Sequence, residues 1–222
     1  MAFVRGGFSS NFTGRNCLQH MQPVLNQLKV LLKHILHPSP IGLHDIGFGS
    51  FIALPRKIRG RKRISIGKRS FVGSHAWIEA FDSYGGNSFD PQIKIGSGVN
   101  IGRYCCITAV DSITIEDECL LSEHIYISDH GHGFSPTQGP PAGQPLYSKG
   151  KVRIGAFSFV GYRATILSGV DLGSHCVVGA HAVVTRGFPA YSMIAGVPAV
   201  LIKRYSHSEQ RWLSVDLEVD DK

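Results

Sequence analysis

Two histidines mark the point where a regular stretch of the sequence gives way to a long loop. His130 ends the regular stretch, and His132 lies two residues further on. The loop, residues 131–150, contains five glycines and four prolines, and a loop of this length inside a compact domain is uncommon unless it is functional. An imidazole with a pKa near neutrality can take a proton from a hydroxyl that attacks an acyl group. We therefore predict that His130 is a general base. His132 is the alternative, since residues two apart in an extended chain point to the same side.

A carboxylate that orients the imidazole would complete such a base. Asp129 and Glu123 are the two candidates near His130. Because adjacent residues of a strand face opposite sides, Asp129 is the doubtful one. The sequence leaves the orienting group open.

The histidines do not indicate a metal site. His124 and His130 are six residues apart, and His175 and His181 repeat that spacing. No matching third histidine accompanies them, and no cluster of carboxylates and histidines has the spacing of metal ligands. We predict no catalytic metal.

The cysteines predict no disulfide framework. There are five of them and they form no CxxC motif, so we expect reduced thiols in a cytosolic protein. Cys105 and Cys106 are adjacent and fall within a run of regularly spaced isoleucines, where we expect them to fill the core.

An aliphatic residue recurs at every sixth position and defines the elements that must hold these side chains. The longest run comprises Ile154, Val160, Ile166, Leu172, Val178 and Val184. Shorter runs with the same spacing occur upstream. A period of six matches neither a plain amphipathic strand nor a helix. It predicts a stack of coils with short flat faces, each of which buries one aliphatic side chain.

The segment ILSGVDLGSHCVVGAHAVVTRGFPAYSMIAGVPAVLIKRY, residues 166–205, resembles the ending of the hexapeptide-repeat acyltransferases. The resemblance covers roughly residues 60–205 and implies an all-β fold, a left-handed parallel β-helix with three hexapeptides per turn. ISDHGHGF at 127–134 and YSKGKVRIG at 147–155 are similar to the branch that acetylates sugars of surface polysaccharides, such as colanic acid or O-antigen.

This resemblance implies transfer of an acetyl group from acetyl-CoA to a sugar hydroxyl, with His130 at the place of the family's catalytic histidine. The implied acceptor is a sugar or a lipid-linked saccharide. Three alternatives remain open. They are an N-acetyltransferase acting on an amino sugar, a non-catalytic β-helix scaffold or binding protein, and a γ-type carbonic anhydrase, which the lack of a histidine triad disfavours.

Six positions correspond to the family's donor contacts or lie beside them. They are Phe159, Gly161, Ala180, Thr185, Lys203 and Arg204. The resemblance implies that the pantetheine arm of acetyl-CoA runs along a groove between neighbouring subunits of a homotrimer. The small residues would let backbone amides approach it, Phe159 would form an apolar wall, and Lys203 with Arg204 would meet the phosphates.

The chain divides into an appendage, a repeat domain and a tail. Residues 1–40 form an N-terminal helical appendage, with an apolar stripe of helical period over 18–36. That helix packs against the β-helix or its trimer partners, or it lies on a membrane surface. We expect residues 41–205 to form the acyltransferase domain with its inserted loop and residues 206–222 to form a C-terminal tail. Its end reads as acidic and frayed, with Asp216, Glu218, Asp220 and Asp221.

The formal net charge is +7, which favours anionic ligands or surfaces. Residues 55–63, PRKIRGRKR, hold six basic side chains in nine positions. They indicate either a solvated face or attraction to phosphate-bearing donors and lipid-linked substrates. Nucleic acid is disfavoured because no aromatic stacking pattern accompanies the charge. The sequence shows neither a secretory signal nor an apolar run of spanning length, so we expect a cytoplasmic protein with at most peripheral membrane contact.

Overall fold

The structure of this protein is a computed structural model that describes residues 42–215. The predicted helix over residues 18–36 and the acidic residues 216–222 lie outside the described part. Within it, the only helical turns are the 3₁₀ turns Arg61–Arg63 and Pro141–Gly143. No helix among the described residues has the length and apolarity needed to cross a membrane.

Three parallel sheets form the faces of a left-handed β-helix, as predicted. The first face consists of β1 (Asp45–Ile46), β4 (Ile64–Ile66), β9 (Gln92–Ile95), β12 (Ser112–Ile115), β17 (Val152–Ile154) and β20 (Asp171–Leu172). The second face consists of β2 (Phe51–Ile52), β5 (Phe71–Val72), β10 (Asn100–Ile101), β13 (Leu120–Leu121), β18 (Phe159–Val160) and β21 (Val177–Val178). The third face consists of β3 (Lys57–Arg59), β6 (Trp77–Ala80), β11 (Cys106–Ala109), β14 (Tyr126–Ser128), β19 (Thr165–Ile166) and β22 (Val183–Val184).

The six-residue period arises because a strand and the corner after it together take about six residues. Strand pairing places the repeated aliphatic residues in columns, such as Ile127 beside Ile166 and Ile166 beside Val184. These three side chains are fully buried, and burial of each contributes about 1.5–3 kcal/mol. The core is therefore a set of aliphatic columns along the axis.

The corners join successive coils through left-handed backbone conformations and stacked rings. We name the corner after the first face the first corner, the one after the second face the second corner, and the one after the third face the third corner. At the second corner, His75, Tyr104 and His124 all have positive φ. Their rings stack along the axis with centroids 4.7 and 4.9 Å apart. Stacking between coils offsets the backbone strain of φ values that non-glycine residues rarely adopt.

Two segments, one of them the predicted loop, interrupt the repeat and leave the β-helix at the third corner. The first, between β6 and β9, contains the hairpin of β7 (Ser83–Tyr84) and β8 (Asn87–Ser88). The second, between β14 and β17, contains the antiparallel pair of β15 (Gly131–His132) and β16 (Leu146–Tyr147). Gln144 is buried and bonds to the backbone of Ser135 and Gly139. The long loop is therefore a folded element.

The chain leaves the β-helix through three further strands. β23 (Ser192–Gly196) pairs with β21, and β24 (Ala199–Ser206) and β25 (Arg211–Ser214) extend the second face antiparallel. Regular structure therefore continues to Ser214, within the segment assigned to the C-terminal tail. The repeat period ends before this segment and so did not indicate it.

Candidate functional site

His130 lies at the third corner, immediately after β14. Its side chain is only 10% exposed. Its Nδ1 atom lies 3.0 Å from Asp129 Oδ1 and 3.3 Å from Ser128 Oγ. The Ser128 hydroxyl in turn donates to the His130 carbonyl oxygen at 2.9 Å. The two residues that precede His130 thus fix its imidazole.

Asp129 orients His130, contrary to the expectation from strand alternation. Its carboxylate is fully buried and accepts hydrogen bonds from the backbone N–H groups of Val110 and Asp111, each at 2.9 Å. β14 ends at Ser128. The alternation of side chains along a strand therefore no longer applies at Asp129. The Asp129 carboxylate and the His130 ring can then contact each other.

Glu123, the other candidate carboxylate, serves a different partner. It accepts a hydrogen bond from Arg103 Nε at 2.8 Å, at the second corner. His130 lies at the opposite end of the same strand segment. Glu123 therefore does not orient the imidazole.

The contact with Asp129 assigns the tautomer of His130. A carboxylate facing Nδ1 favours a proton on Nδ1, which then donates to Oδ1. The unprotonated Nε2 atom keeps its lone pair. In this tautomer Nε2 can accept a proton from an approaching hydroxyl.

The hairpin of the first interruption packs against the histidines of the second. The Phe81 ring meets the His130 ring edge-on at 5.5 Å, and the Tyr84 ring meets His132 at 5.3 Å. The Tyr84 hydroxyl donates to the Ala142 carbonyl at 3.2 Å. Neither Phe81 nor Tyr84 was among the predicted site residues. The signal that could have indicated them is that both interruptions follow a strand of the third face and therefore leave the same corner.

His132 differs from His130 in its surroundings. It is exposed and belongs to β15, where it lies opposite Leu146. Its ring contacts the Tyr84 ring, and within residues 42–215 no ion pair joins it to a carboxylate. Of the two histidines, His130 is the one whose ring a carboxylate orients.

The six predicted donor positions lie on another part of the β-helix. Phe159 is on β18 of the second face and is 38% exposed. Lys203 and Arg204 lie on β24, beyond β23 on the same face. Gly161 and Ala180 meet at the second corner, where a Cβ on Gly161 would lie 2.6 Å from the Ala180 nitrogen. Thr185 follows β22 and is exposed.

Within one chain Gly161 and Ala180 lie at the second corner and His130 at the third, at opposite edges of the third face. Thr185 lies at the third corner, two coils from His130. The strand segment between the second corner and His130 is about five residues long, which corresponds to roughly 16 Å. A single chain therefore does not bring Gly161 and Ala180 next to the imidazole.

The described cysteines are free thiols with little reactivity. Cys105 is buried and Cys106 is half-buried on the outer side of the third face. Burial raises the pKa of both thiols to about 11. They stay protonated near neutral pH and are poor nucleophiles. Among residues 42–215, no three His, Cys, Asp or Glu side chains are close enough to hold a metal ion.

Two segments of the chain match models of hexapeptide-repeat families. Residues 151–186 match the bacterial transferase hexapeptide (six repeats), and residues 92–128 match the hexapeptide repeat of succinyl-transferase. Both segments lie in the β-helix, on either side of the long loop.

Longer matches to individual proteins extend the similarity. The "Putative lipopolysaccharide biosynthesis O-acetyl transferase WbbJ" of Escherichia coli (strain K12) is 32% identical over 168 residues, which cover 72% of this chain and 82% of the relative. The galactoside O-acetyltransferase of the same organism is 29% identical over 72% of this chain and 76% of its own length. A variant of AntD, an N-acyltransferase from Bacillus cereus solved with dTDP and coenzyme A, shares the fold. Its TM-score is 0.64 at 19% identity, over 85% of this chain and 90% of AntD.

The left-handed β-helix and the identity to these relatives define an acyltransferase enzyme. More narrowly, the chain belongs to the hexapeptide-repeat acetyltransferases.

Proposed function

We propose that this enzyme transfers an acetyl group from acetyl-CoA to a hydroxyl of a sugar in a surface polysaccharide or its precursor. The observation that carries the proposal is the contact of Asp129 with His130 Nδ1, which leaves Nε2 as the ring nitrogen that can accept a proton. Acetyl transfer to a hydroxyl needs such a base, because an alcohol is a weak nucleophile until its proton is removed.

The proposed reaction needs no covalent enzyme intermediate. His130 Nε2 takes the hydroxyl proton while the sugar oxygen forms a bond to the thioester carbonyl carbon. Asp129 stabilises the resulting imidazolium. The tetrahedral intermediate then collapses, the carbon–sulfur bond breaks, and the proton on Nε2 passes to the leaving thiolate.

Acetyl-CoA as the donor is supported by the side chains at the second face. Phe159 offers an exposed ring there, and Lys203 and Arg204 offer two cations on one strand. An apolar wall and nearby cations suit a ligand with a pantetheine arm and phosphates. Coenzyme A is also bound to AntD, which has the same fold.

A sugar acceptor is supported by the relatives. WbbJ is named for lipopolysaccharide biosynthesis and the second E. coli relative for a galactoside. Both are O-acetyltransferases by name, which favours a hydroxyl acceptor over an amine.

We also propose that the working enzyme is a closed homotrimer. The separation of Gly161 and Ala180 from His130 supports this, because a second subunit can bring its donor positions beside the imidazole of the first. A trimer would also cover faces that a single β-helix exposes.

The direct test is to incubate the enzyme with acetyl-CoA and a panel of sugars and follow the release of free thiol. We expect release that depends on the acceptor and produces an acetyl ester, which mild alkali cleaves. Matched amino sugars should give little alkali-stable amide. Preferential amide formation would move the enzyme to the N-acetyltransferases, and no release with any acceptor would contradict the proposal.

A further inference from the structure

The positive charge of this protein is concentrated at one end of the β-helix. The first two coils, residues 42–80, contain eight Lys and Arg but only two Asp and Glu, so their formal charge is +6 out of +7 for the whole chain. The eight are Arg56, Lys57, Arg59, Arg61, Lys62, Arg63, Lys68 and Arg69. We refer to these eight residues as the basic end.

Within residues 42–215, three acidic side chains form ion pairs with members of the basic end, which holds eight cations. Glu79 is fully buried and contacts Lys57 at 2.7 Å and Arg59 at 3.6 Å. Asp90 pairs with Arg63, and Glu118 lies 4.0 Å from Arg69. Asp90 and Glu118 come from later segments. When they are added to residues 42–80, the formal charge of +6 falls to +4. All eight basic residues are exposed.

Two of the three corners of the first coil carry exposed apolar side chains. Phe48 at the first corner is 85% exposed, and Leu54 at the second is 68% exposed. The third corner carries the basic turn Arg61–Arg63. Apolar tips set among cations match the boundary between lipid headgroups and acyl chains, where the tips leave water and the cations meet phosphates.

The basic end is aligned with the candidate active site. The turn Arg61–Arg63, the hairpin after β6 and His130 all lie on the third corner. The turn follows the first coil and His130 follows the fourth, so three coil spacings separate them. Neighbouring strands lie about 4.7–4.9 Å apart, which gives a separation of about 14 Å along the axis.

We infer that the basic end docks on the surface of an anionic lipid bilayer. Docking would hold His130 about 14 Å above the headgroups, within reach of a saccharide attached to a lipid phosphate. The lipid-linked acceptor rests on the proposed function, but the docking itself does not. Membrane binding and acetyl transfer can therefore be tested separately.

The test is co-sedimentation of the full chain with vesicles. One set contains phosphatidylcholine alone, and the other contains phosphatidylcholine mixed with phosphatidylglycerol. We expect at least about tenfold stronger partitioning onto the anionic vesicles, lost on raising the salt concentration. Reversing two cations with Lys62→Glu and Lys68→Glu should weaken partitioning at least about tenfold.

The matched control reverses two exposed cations away from the basic end, with Lys94→Glu and Arg163→Glu. It changes the net charge equally and should leave partitioning within about twofold. A separate variant, Phe48→Ser with Leu54→Ser, should weaken binding to anionic vesicles while the salt dependence persists.

Four outcomes would overturn the inference. The first is equal partitioning onto both vesicle types, and the second is an equal effect of the control reversals. The third is full displacement from vesicles by an amount of inorganic pyrophosphate that changes ionic strength little, which would assign the basic end to a soluble phosphate ligand. The fourth is unchanged partitioning of the variant Lys62→Glu with Lys68→Glu, whether or not its thermal stability falls, which would mean that these cations do not meet the bilayer.

Discussion

The chemistry proposed for His130 depends on residues directly beside it in sequence. Asp129 provides the carboxylate and Ser128 a hydroxyl, and the two backbone N–H groups that hold Asp129 come from the preceding coil. A buried carboxylate held by two donors has one orientation, so the imidazole beside it also has one. The base is thus prepared before substrate arrives.

Replacing the base should remove most of the activity. We expect His130→Ala to lower kcat by roughly 10²–10⁴-fold with little change in the KM for acetyl-CoA, because proton transfer occurs only in the transition state. His132→Ala is the matched control and should cost much less. Steady-state kinetics of both variants decide the point. A larger loss in His132→Ala would transfer the role to His132.

Removing the orienting charge should lower turnover without weakening donor binding. Asp129→Asn keeps the shape of the side chain but allows an amide N–H to face Nδ1, which favours the wrong tautomer. We expect kcat to fall roughly 10²-fold or more, with the KM for acetyl-CoA nearly fixed. Thermal unfolding must be followed in parallel, since Asp129 also accepts two backbone hydrogen bonds. A loss of stability with unchanged kcat would assign Asp129 a purely structural role.

The two cations on β24 should act on the donor alone. Replacing Lys203 and Arg204 together by Ala should raise the KM for acetyl-CoA by roughly tenfold or more, because charge-assisted contacts to phosphate are lost. The KM for the acceptor should stay nearly constant. The original enzyme should also discriminate against the dephospho-CoA thioester, and the variant less so. Arg211→Ala, on the neighbouring strand, is the control. A rise confined to the acceptor would place the cations at the sugar site.

At the scale of elements, the β-helix combines short strands with tightly fitted corners. Each strand is too short to be stable alone, so stability comes from burial between coils. The interruptions are tolerated at the third corner because the strands on either side keep their register, as Ile127 with Ile166 and Ile115 with Ile154 show. The chain can therefore carry inserted segments at the third corner while the buried aliphatic columns stay intact.

A buried column residue should matter far more than an exposed residue of similar size. Ile166 is fully buried, and Ile166→Ala should cost about 2–5 kcal/mol of unfolding free energy through lost burial and a cavity. Leu120 is 48% exposed, and Leu120→Ala should cost less than about 1 kcal/mol. Chemical denaturation measures both. Similar costs for the two variants would argue against the columns as the source of stability.

At the scale of the whole molecule, Gly161 and Ala180 lie at the opposite edge of the third face from His130. The proposed homotrimer with closed three-fold symmetry would resolve this separation, since each subunit could pair its base with these donor positions of a neighbour.

Light scattering should give about three times the chain mass of 24.2 kDa at working protein concentration. Mixing inactive His130→Ala with inactive Gly161→Trp subunits should restore part of the activity, because some interfaces then contain both intact halves. The bulky ring blocks the donor groove only where Gly161 contributes to it. A monomer by light scattering, or mixed subunits without any activity, would contradict a site shared between subunits.

The sequence alone determined the repeat and the loop of this protein, and it marked His130 as the candidate base. A period of six is visible because one buried aliphatic residue per coil face is a local requirement that repeats along the chain. His130 was identifiable because it stands where that period stops. The family resemblance supplied the left-handed fold and the acetyl transfer chemistry.

Only the tertiary structure decided which distant segments meet at that site. Asp129 was disfavoured by strand alternation, yet it lies beside His130 because β14 has already ended there. Phe81 reaches His130 because both interruptions leave the same corner of different coils. The basic residues of the first two coils likewise form one end because the coils stack in order. Such contacts depend on register between coils, which the spacing along the chain does not specify.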